Sequence, residues 1–138
     1  MKALIDTCVV LDALANREPF YQDAQCIFVN CANNFFEGFL TAKEITDIFY
    51  LAHKYTHDNS KTKQAISALC ELFSVIDTCS IDIKNALFSD ITDFEDAVMI
   101  ETASRNKFDC IVTRNIKDYE KSNIKVYSPS EFLKKIRE

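Results

Sequence analysis

The sequence predicts an α/β fold of three layers, with helices on both faces of one parallel sheet. Short apolar runs alternate with stretches of helical periodicity along the whole chain, and strands separated by helices form parallel sheets. The 138 residues, 48% of them hydrophobic, suit a single domain with a full core. No repeat, no low-complexity run and no linker rich in Pro, Gly or Ser interrupts the pattern.

The predicted elements follow from this alternation. Pro19 ends the first helix and opens the second, because proline suits the first turn of a helix and breaks its interior. The third helix places Ile45, Ile48 and Ala52 at spacings of three and four residues, the period of an apolar helix face. The predicted strands are 3–5, 35–40, 75–76, 110–113 and 125–127. The predicted helices are 9–15, 20–32, 42–55, 63–73, 81–88, 93–105 and a last one that starts at 128–131, with a turn at 57–61.

Composition argues against several classes of site and location. Gly38 is the only glycine, which argues against a phosphate-binding loop built from several glycines. The six cysteines form no C-x-x-C pair, so we expect reduced and mostly buried thiols rather than a zinc site. Neither a signal peptide nor a long apolar span is recognisable, and we therefore expect a cytoplasmic protein without membrane contact.

Charge is distributed unevenly along the chain. The net charge of −5 speaks against a general affinity for nucleic acids. Residues 1–104 carry 7 basic and 16 acidic side chains, whereas residues 105–138 carry 9 basic and 5 acidic ones. A basic end beside an acidic body can bind a polyanion locally, although a solvated surface explains the same pattern.

Acidic and amide side chains follow the strands of the predicted sheet. Asp6 comes directly after the first strand, Glu44 shortly after the second, and Asn115 and Asp118 after the fourth. Asp96 lies near the start of the helix that enters the fourth strand. Because the working sites of parallel sheets lie beyond the carboxyl ends of the strands, these side chains are expected to gather at one edge.

Each of these residues also has a purely structural explanation. Asp6 can cap the helix that follows it, and Asn115 and Asp118 suit turns. Three segments, at 41–44, 92–95 and 128–131, have the pattern of a capping box, in which the side chains of the first and fourth residues bond each other's backbone amides. Asp96 is harder to explain in this way. It lies at the edge of an apolar helix face, where an unpaired carboxylate is costly.

The combination of acids is more informative than any one of them. Several carboxylates cannot share a pocket in their ionised form unless cations offset their repulsion. Ligand sets made only of oxygen select hard ions such as Mg²⁺ or Mn²⁺. Sites of this kind, with one or two ions, often serve phosphoryl chemistry.

Four segments of the chain resemble the motifs of the PIN-domain family of metal-dependent nucleases. They occur in the family's order, and together they cover most of the chain. They are IDTCVVLDAL with Asp6, TAKEITDIFY with Glu44, DFEDAVMIETA with Asp96 and the accessory Asp93, and IVTRNIKDY with Asn115 and Asp118. The resemblance implies that residues 1–138 form one PIN domain, with a parallel sheet in the strand order 3-2-1-4-5 between two helical layers.

The resemblance also implies an activity, that of an endoribonuclease that uses Mg²⁺ or Mn²⁺ and is the toxin of a toxin–antitoxin pair. Asp6 and Asp96 would hold the main ion together with Asn115 or Asp118. Glu44 would position a second ion or the attacking water. The implied partners are an RNA substrate, an antitoxin protein and a second copy of the chain in a homodimer.

Weaker contacts with substrate and partners are expected around these acids. Solvent exposure or a helix start explains Thr7, Arg114 and Lys117 equally well, and core burial is the better explanation for most of the aromatic residues. The expected substrate contacts are Thr7, Asp93, Thr113, Arg114 and Lys117. Exposed aromatic side chains for a dimer or antitoxin contact are expected among Phe20, Phe36, Phe49 and Tyr50.

Two positions depart from the family's pattern. Cys8 stands where Asn is usual, and Asn115 stands where many members have Asp. These departures leave open an alternative function, a non-catalytic PIN-like module that binds RNA or protein beside a degenerate metal site. Metal titration separates the two functions, because only a working site is stabilised by Mn²⁺.

Two other enzyme and signalling folds fit the sequence less well. A phosphatase of the haloacid dehalogenase type needs a second Asp two residues after its nucleophile, where Cys8 stands. A response-regulator receiver needs an Asp at the end of the third strand, and Asp77 meets that requirement. The receiver also needs an acidic neighbour beside the first Asp, and Asp6 lacks one.

Overall fold

The computed structural model describes residues 1–138 and contains one five-stranded sheet. The strands are β1 (Lys2–Ile5), β2 (Glu37–Thr41), β3 (Ser74–Ile76), β4 (Cys110–Val112) and β5 (Lys125–Tyr127). All neighbouring pairs are parallel, and the order across the sheet is β3-β2-β1-β4-β5, which confirms the predicted topology. The strand order therefore reverses beside the central β1, and the carboxyl ends of β1, β2 and β4 are neighbours.

Seven α-helices connect and cover the strands. They are α1 (Thr7–Leu14), α2 (Tyr21–Ala32), α3 (Ala42–Thr56), α4 (Asn59–Leu72), α5 (Ser80–Leu87), α6 (Phe94–Arg105) and α7 (Pro129–Lys135). A short 3-10 helix at Ile116–Tyr119 follows β4 and was not predicted. All seven predicted helices are present, although their ends differ from the prediction by a few residues.

The sheet separates two apolar cores. Alternate residues of each strand face opposite sides of the sheet, as the pleat requires. Ala3, Ile5 and Leu40 pack with residues of α1, α2, α3, α4 and α7 on one side. Leu4 and Ile111 pack with residues of α6 and the 3-10 helix on the other. The predicted arrangement of three layers is therefore confirmed.

Two of the three predicted capping boxes are confirmed. The Glu44 amide donates a hydrogen bond to the Thr41 hydroxyl, and the Thr41 amide donates one to the Glu44 carboxylate. Ser128 and Glu131 form the same pair of bonds at the start of α7. These boxes fix where α3 and α7 begin, directly after β2 and β5.

The third predicted box, at 92–95, is wrong. Asp93, not Thr92, is the N-cap of α6, and its Oδ1 accepts a 3.0 Å hydrogen bond from the Asp96 amide. Aspartate caps a helix at least as well as threonine does, so the helix starts one residue later than the box pattern predicts. Glu95 is then free to reach α3, where its carboxylate lies 3.3 Å from the ammonium of Lys43.

The connection between α3 and α4 is shorter than the predicted turn at 57–61. His57 ends α3 in the left-handed conformation, with φ of 51°. The Asp58 carboxylate then accepts a 2.9 Å hydrogen bond from the Lys61 amide and starts α4 at Asn59. An N-cap residue inside the polar segment thus converts most of the predicted turn into helix.

The cysteines are less buried than predicted. All six are free thiols, but only Cys31 and Cys110 are buried, whereas Cys26 and Cys70 are exposed. The two exposed cysteines lie on α2 and α4, which each bury one face and leave the other to solvent. A general preference of cysteine for burial does not specify the helix face on which a particular thiol lies.

Two fully buried carboxylates are neutralised by arginines. Asp12 of α1 accepts hydrogen bonds from Arg17 at 2.8 Å and from Arg114 at 2.6 Å, which ties α1 to the loop after β4. Asp82 of α5 accepts two bonds from Arg105 of α6, at 2.9 and 3.0 Å. Such bidentate pairs compensate the charge of a buried carboxylate and fix two elements against each other.

The single glycine lies where no side chain fits. A Cβ atom built on Gly38 would lie 2.6 Å from Cδ1 of Phe73 and 2.9 Å from Sγ of Cys31. Both neighbours are buried and belong to the larger core, so neither can move aside freely. The close approach of β2 to this part of the core therefore requires glycine for space.

We expect Gly38→Ala to lower the free energy of unfolding by about 1–3 kcal/mol, because the added methyl group overpacks the core. Thermal and urea denaturation of the purified protein measure this change. The double variant Gly38→Ala/Phe73→Leu should recover part of the loss, because it removes ring atoms that the methyl group would meet. A Gly38→Ala protein as stable as the wild type would contradict this account of the packing.

Candidate active site

Three acidic residues predicted from the sequence line one cavity at the carboxyl ends of the central strands. Asp6 follows β1, Glu44 lies in the first turn of α3 after β2, and Asp96 lies in the first turn of α6. The cavity has a volume of about 490 Å³. Its position is the one expected for the working site of a parallel sheet, beside the point where the strand order reverses.

Asp6 is held by side chains and not used to cap α1. It occupies the N-cap position of α1, but its side chain makes no capping hydrogen bond. Its Oδ2 instead accepts a 2.7 Å bond from the hydroxyl of Thr113 and a 3.5 Å bond from Sγ of Cys8. Its Oδ1 accepts no hydrogen bond from the protein and is available to a ligand. The structural explanation of Asp6 as a helix cap therefore does not hold for its side chain.

Glu44 combines a structural role with a place in the site. Its Oε1 accepts the 2.9 Å bond from the Thr41 amide that completes the capping box. Its Oε2 accepts a 3.2 Å bond from the hydroxyl of Thr7. The capping box turns the side chain back toward the start of α3, and this direction brings the carboxylate to the edge of the sheet. Glu44 is only 2% exposed, although it is a carboxylate.

Asp96 is oriented by a residue that the sequence does not single out. The hydroxyl of Tyr119, at the end of the 3-10 helix, donates a 3.0 Å hydrogen bond to Oδ1 of Asp96. The other oxygen, Oδ2, accepts no hydrogen bond from the protein. Tyr119 is buried with the core on the α6 side of the sheet. Because Tyr119 is fixed by this packing, its hydrogen bond also fixes the orientation of the Asp96 carboxylate.

Burial and the charges of neighbouring acids raise the pKa values of the three carboxylates. Burial raises the pKa of Asp6, although hydrogen bonds from Thr113 and Cys8 act against the rise. Burial and then the charge of Asp6 raise the pKa of Glu44 well above its ordinary value. Burial, with the charges of Asp93, Asp6 and Asp118, raises the pKa of Asp96 to about 7, against the hydrogen bond from Tyr119. The cavity thus disfavours negative charge in the absence of a cation.

None of these three acids has a basic partner. The acids in the six ion pairs of the chain are Asp12, Asp47, Asp82, Glu95 and Glu138, and none of the pairs includes Asp6, Glu44 or Asp96. Arginines therefore neutralise two buried carboxylates, whereas the buried Glu44 and the half-buried Asp6 and Asp96 have no such partner. A group of acids without basic partners is typical of a site that binds a cation.

The remaining residues predicted after β4 occupy different positions. Thr113 is fully buried and donates its hydroxyl to Asp6, and it also accepts a 3.1 Å hydrogen bond from the Asn115 amide. Asn115, Lys117 and Asp118 are exposed. The charge of Asp118 nevertheless acts on Asp96, so these two acids are near each other. The structure thus leaves Asn115 and Asp118 as two candidates for completing the site.

Arg114 is engaged in the fold rather than free at the surface. Its Nε and Nη2 donate to Asp12, and its guanidinium lies 4.0 Å from the centroid of the Phe20 ring. Its charge still lowers the pKa of Asp6. This placement favours an indirect role, in which Arg114 fixes the loop that carries Thr113 and Asn115. It leaves only Nη1 for the predicted contact with substrate.

The oxygen atoms of the site suit a hard cation in chemistry, but the site is not preformed. No three His, Cys, Asp or Glu side chains have the spacing of a metal site. Two carboxylate oxygens on opposite elements, Oδ1 of Asp6 and Oδ2 of Asp96, have no protein donor, and both acids line the same cavity. Repulsion between carboxylates keeps such groups apart when no cation lies between them. Because Mg²⁺ and Mn²⁺ prefer carboxylate oxygens, the chemistry of these donors fits either ion.

The comparison with known families agrees with this geometry. The profile of the PIN domain matches residues 2–117, which is most of the chain. The chain belongs to the PIN-domain family. Members of this family are generally nucleases, which supports a hydrolase. The match includes β1, β2 and β4 together with Asp6, Glu44 and Asp96, and it ends before Asp118. Comparison with curated protein sequences found no match.

Solved structures share the fold of this PIN domain at low sequence identity. A toxin–antitoxin complex from Klebsiella pneumoniae aligns with a TM-score of 0.68 and 20% identity, over 92% of this chain and 97% of that one. A DNA-bound VapBC from Salmonella typhimurium aligns with a TM-score of 0.69 and 13% identity, over 94% and 98%. VapBC2 from Rickettsia felis, bound to a DNA fragment from its promoter, aligns with a TM-score of 0.68 and 12% identity, over 93% and 98%.

No helix of this PIN domain combines the length and the apolar character that a membrane-spanning helix requires.

The raised pKa of Asp96 predicts how the stability of the metal-free protein depends on pH. Its pKa is about 7 in the folded state, and an unfolded aspartate titrates near 4. Between these values the folded state binds more protons than the unfolded state, so stability falls as pH rises. In EDTA, we therefore expect the melting temperature of the wild type to fall from pH 5 to pH 7.5 more steeply than that of Asp96→Asn.

The matched control is Asp77→Asn. Asp77 is an exposed aspartate that follows β3 at the same edge of the sheet but does not line the cavity. Its melting curves should keep the pH dependence of the wild type. Identical slopes for the wild type and Asp96→Asn would show that Asp96 does not carry the effect.

Proposed function

We propose that this PIN domain is an endoribonuclease that depends on Mg²⁺ or Mn²⁺. The observation that carries the proposal is a contrast between two groups of buried or half-buried carboxylates. Asp12 and Asp82 are neutralised by arginines, whereas Asp6, Glu44 and Asp96 share a cavity without any basic partner. A divalent cation removes that imbalance, and the family match indicates what it would be used for.

Asp6 and Asp96 are the proposed ligands of the main ion. Each has one oxygen fixed by a hydroxyl donor, from Thr113 or Tyr119, and one oxygen without a protein donor. Asn115 or Asp118 would complete the site from the loop after β4. A bound divalent ion lowers the pKa of a water molecule and offsets the charge that develops on a scissile phosphate.

Glu44 has a different proposed role. Both of its oxygens already accept hydrogen bonds, from the Thr41 amide and the Thr7 hydroxyl. It is therefore less available for direct binding of the main ion than Asp6 and Asp96 are. We assign it to the orientation of the attacking water or of a second ion. Thr7 contributes by holding the Glu44 carboxylate in place.

The proposed substrate is RNA, cut to leave a 3′-hydroxyl and a 5′-phosphate. Lys117 is exposed in the 3-10 helix that follows β4, next to the proposed site. It belongs to none of the ion pairs, so its ammonium can contact a phosphate. The excess of basic residues in 105–138 can attract a phosphate backbone locally, although the whole chain is acidic. Asp93 caps α6 and lines a second cavity together with Lys117 and Asp118, rather than the cavity of the three acids.

The biological setting proposed for the protein is a cytoplasmic toxin that is held by an antitoxin and forms a homodimer. The similar structures, which are toxin–antitoxin complexes from several bacteria, support the antitoxin partner. Of the aromatic residues predicted for protein contacts, Phe20 is 40% and Tyr50 67% exposed, whereas Phe36 is buried. Phe49 is half-buried and lies beside His53.

A non-catalytic PIN-like module that binds RNA or protein is the alternative. It is favoured by one observation, the bond from Cys8 to Oδ2 of Asp6, because this position usually carries a different polar residue in the family. Burial and the charge of Asp6 raise the pKa of the Cys8 thiol to about 11, so it stays protonated and acts as a donor. The thiol donates only to Oδ2 of Asp6 and leaves Oδ1 free, and this arrangement is compatible with an active site.

Cleavage of single-stranded RNA in Mg²⁺ or Mn²⁺ tests the proposal. We expect the double variant Asp6→Asn/Asp96→Asn to lose cleavage by at least about 100-fold, because the cation loses both anionic ligands. Asp77→Asn is the control, and it should cut at the wild-type rate. The assignment is wrong if the double variant cuts as fast as the wild type. A wild type that binds RNA without cutting it, and that Mn²⁺ does not stabilise, would establish the non-catalytic alternative.

The role assigned to Tyr119 is tested by metal affinity. Loss of a residue that orients a metal ligand typically weakens metal binding by about 10–100-fold. We therefore expect Tyr119→Phe to need about 10–100 times more Mn²⁺ than the wild type for the same rise in melting temperature. Tyr21→Phe, on α2, is the control because Tyr21 does not line the cavity. Equal Mn²⁺ titrations for wild type and Tyr119→Phe would remove Tyr119 from the site.

A further inference from the structure

The cavity continues well beyond the acids. Along α3, the lining residues Glu44, Asp47 and Leu51 follow at spacings of three and four, so they lie on one face of the helix. From Glu44 to Leu51 this face extends about 10 Å, at 1.5 Å per residue. The lining residues Asp96, Met99 and Thr102 run along α6 in the same way. The cavity is therefore a trough between α3 and α6, with the acids at one end.

The trough is apolar beyond the acids, and two exposed aromatic rings line the cavity. Leu51, Ile83, Val98 and Met99 line it. Tyr50 and Phe94 also line the cavity, and they are 67% and 45% exposed. Exposed aromatic rings beside an apolar cavity provide surfaces on which a planar, uncharged group can stack.

One polar atom in this wall has no partner. The hydroxyl of Thr78, in the loop between β3 and α5, is buried and forms no hydrogen bond with the protein. No other buried side-chain nitrogen or oxygen of the chain lacks a hydrogen-bond partner. Leaving a buried hydroxyl unpaired is costly, so native structures usually pair such groups. The nearby hydroxyl of Thr102 is already bonded to Asp82 and to a backbone carbonyl.

From these features we infer that the trough is a subsite for a nucleobase of the RNA, that of a nucleotide next to the cleaved bond. The inference rests on the proposed nuclease function, because the acids at the other end would hold the phosphate. A base has a flat face for Tyr50 and Phe94 and an apolar body for Met99 and Ile83. Its polar edge would pair with the hydroxyl of Thr78, which can both donate and accept a hydrogen bond.

The charges around the trough agree with a base rather than a phosphate as its occupant. Asp47 and Glu95 line the cavity, and the ammonium of Lys43 lies between them, 2.6 Å from Asp47 and 3.3 Å from Glu95. These three residues together carry a net negative charge, which repels phosphate and tolerates an uncharged base. The Lys43–Glu95 pair also links α3 to α6.

The test uses a labelled single-stranded RNA that the wild type cuts, and a series of the same RNA in which one base at a time is removed. Binding is measured by fluorescence anisotropy with the full chain carrying Asp6→Asn, so that the RNA stays intact. Loss of a stacked base is expected to weaken binding by roughly 5- to 150-fold. The loss should occur at one position beside the cleaved bond and be small elsewhere.

Variants of the trough residues show whether the trough binds the base at this position of the RNA. Adding Tyr50→Ala, Phe94→Ala or Thr78→Val should reduce the penalty at that position, and Thr78→Val should also change the cleavage-site preference of the otherwise wild-type enzyme. The controls are Phe35→Ala and Thr46→Val. Phe35 is 62% exposed before β2, at the opposite edge of the sheet, and Thr46 is exposed on α3 outside the trough.

The outcomes separate this inference from the proposed function. If RNA is cut but no single base removal weakens binding, or if the trough variants leave the penalty unchanged, the base subsite is refuted and the nuclease assignment stands. Unchanged RNA binding in the trough variants would also be the result if the trough instead received an apolar side chain of a protein partner. If no RNA is bound or cut by the wild type, the proposed function fails, and the subsite fails with it.

Discussion

The organisation of this protein depends on three carboxylates at one edge of a parallel sheet, of which Glu44 is buried and Asp6 and Asp96 are half-buried. Asp6, Glu44 and Asp96 come from three separate elements, and the strand order places them at one cavity. Burial and mutual repulsion oppose their ionisation. A sequence selected for stability alone would remove such residues or pair them. Their presence without basic partners is the physical reason for assigning the cavity to a cation.

The same residues that build the fold also direct these acids. The capping box that starts α3 also holds Glu44 at the sheet edge, so one pair of hydrogen bonds serves both stability and orientation. The hydroxyl of Thr113, at the end of β4, fixes one oxygen of Asp6. Tyr119 does the same for Asp96 from the 3-10 helix. In each case one carboxylate oxygen is held by the scaffold, and for Asp6 and Asp96 the other remains without a protein donor.

Much of this arrangement could be predicted from the sequence, because it depends on local patterns. Alternating strands and helices predict a parallel sheet, and polar residues after strands predict the edge at which they meet. The strand order itself was implied by the family motifs around Asp6, Glu44, Asp96 and Asn115, and the sheet confirms it. Two of three capping boxes were predicted correctly, since the bonds of a box span only four residues.

Contacts between distant segments could not be predicted in this way. Tyr119 is 23 residues from Asp96, and it lies in a 3-10 helix without a clear periodic pattern. Arg114 is 102 residues from Asp12, and an exposed role for Arg114 was the simpler expectation from its charge. The start of α6 was missed by one residue because Thr92 and Asp93 are both good N-caps. Local preferences of this kind leave side-chain partners open until the tertiary structure is known.

The claim on which the account depends is that Asp6 and Asp96 share a divalent cation. Anomalous scattering from a crystal soaked in Mn²⁺ tests it most directly. The account predicts an anomalous peak within coordination distance, about 2.0–2.6 Å, of carboxylate oxygens of both residues. A well-ordered crystal in which a saturating soak leaves no peak between them, while both side chains are clearly visible, would contradict it.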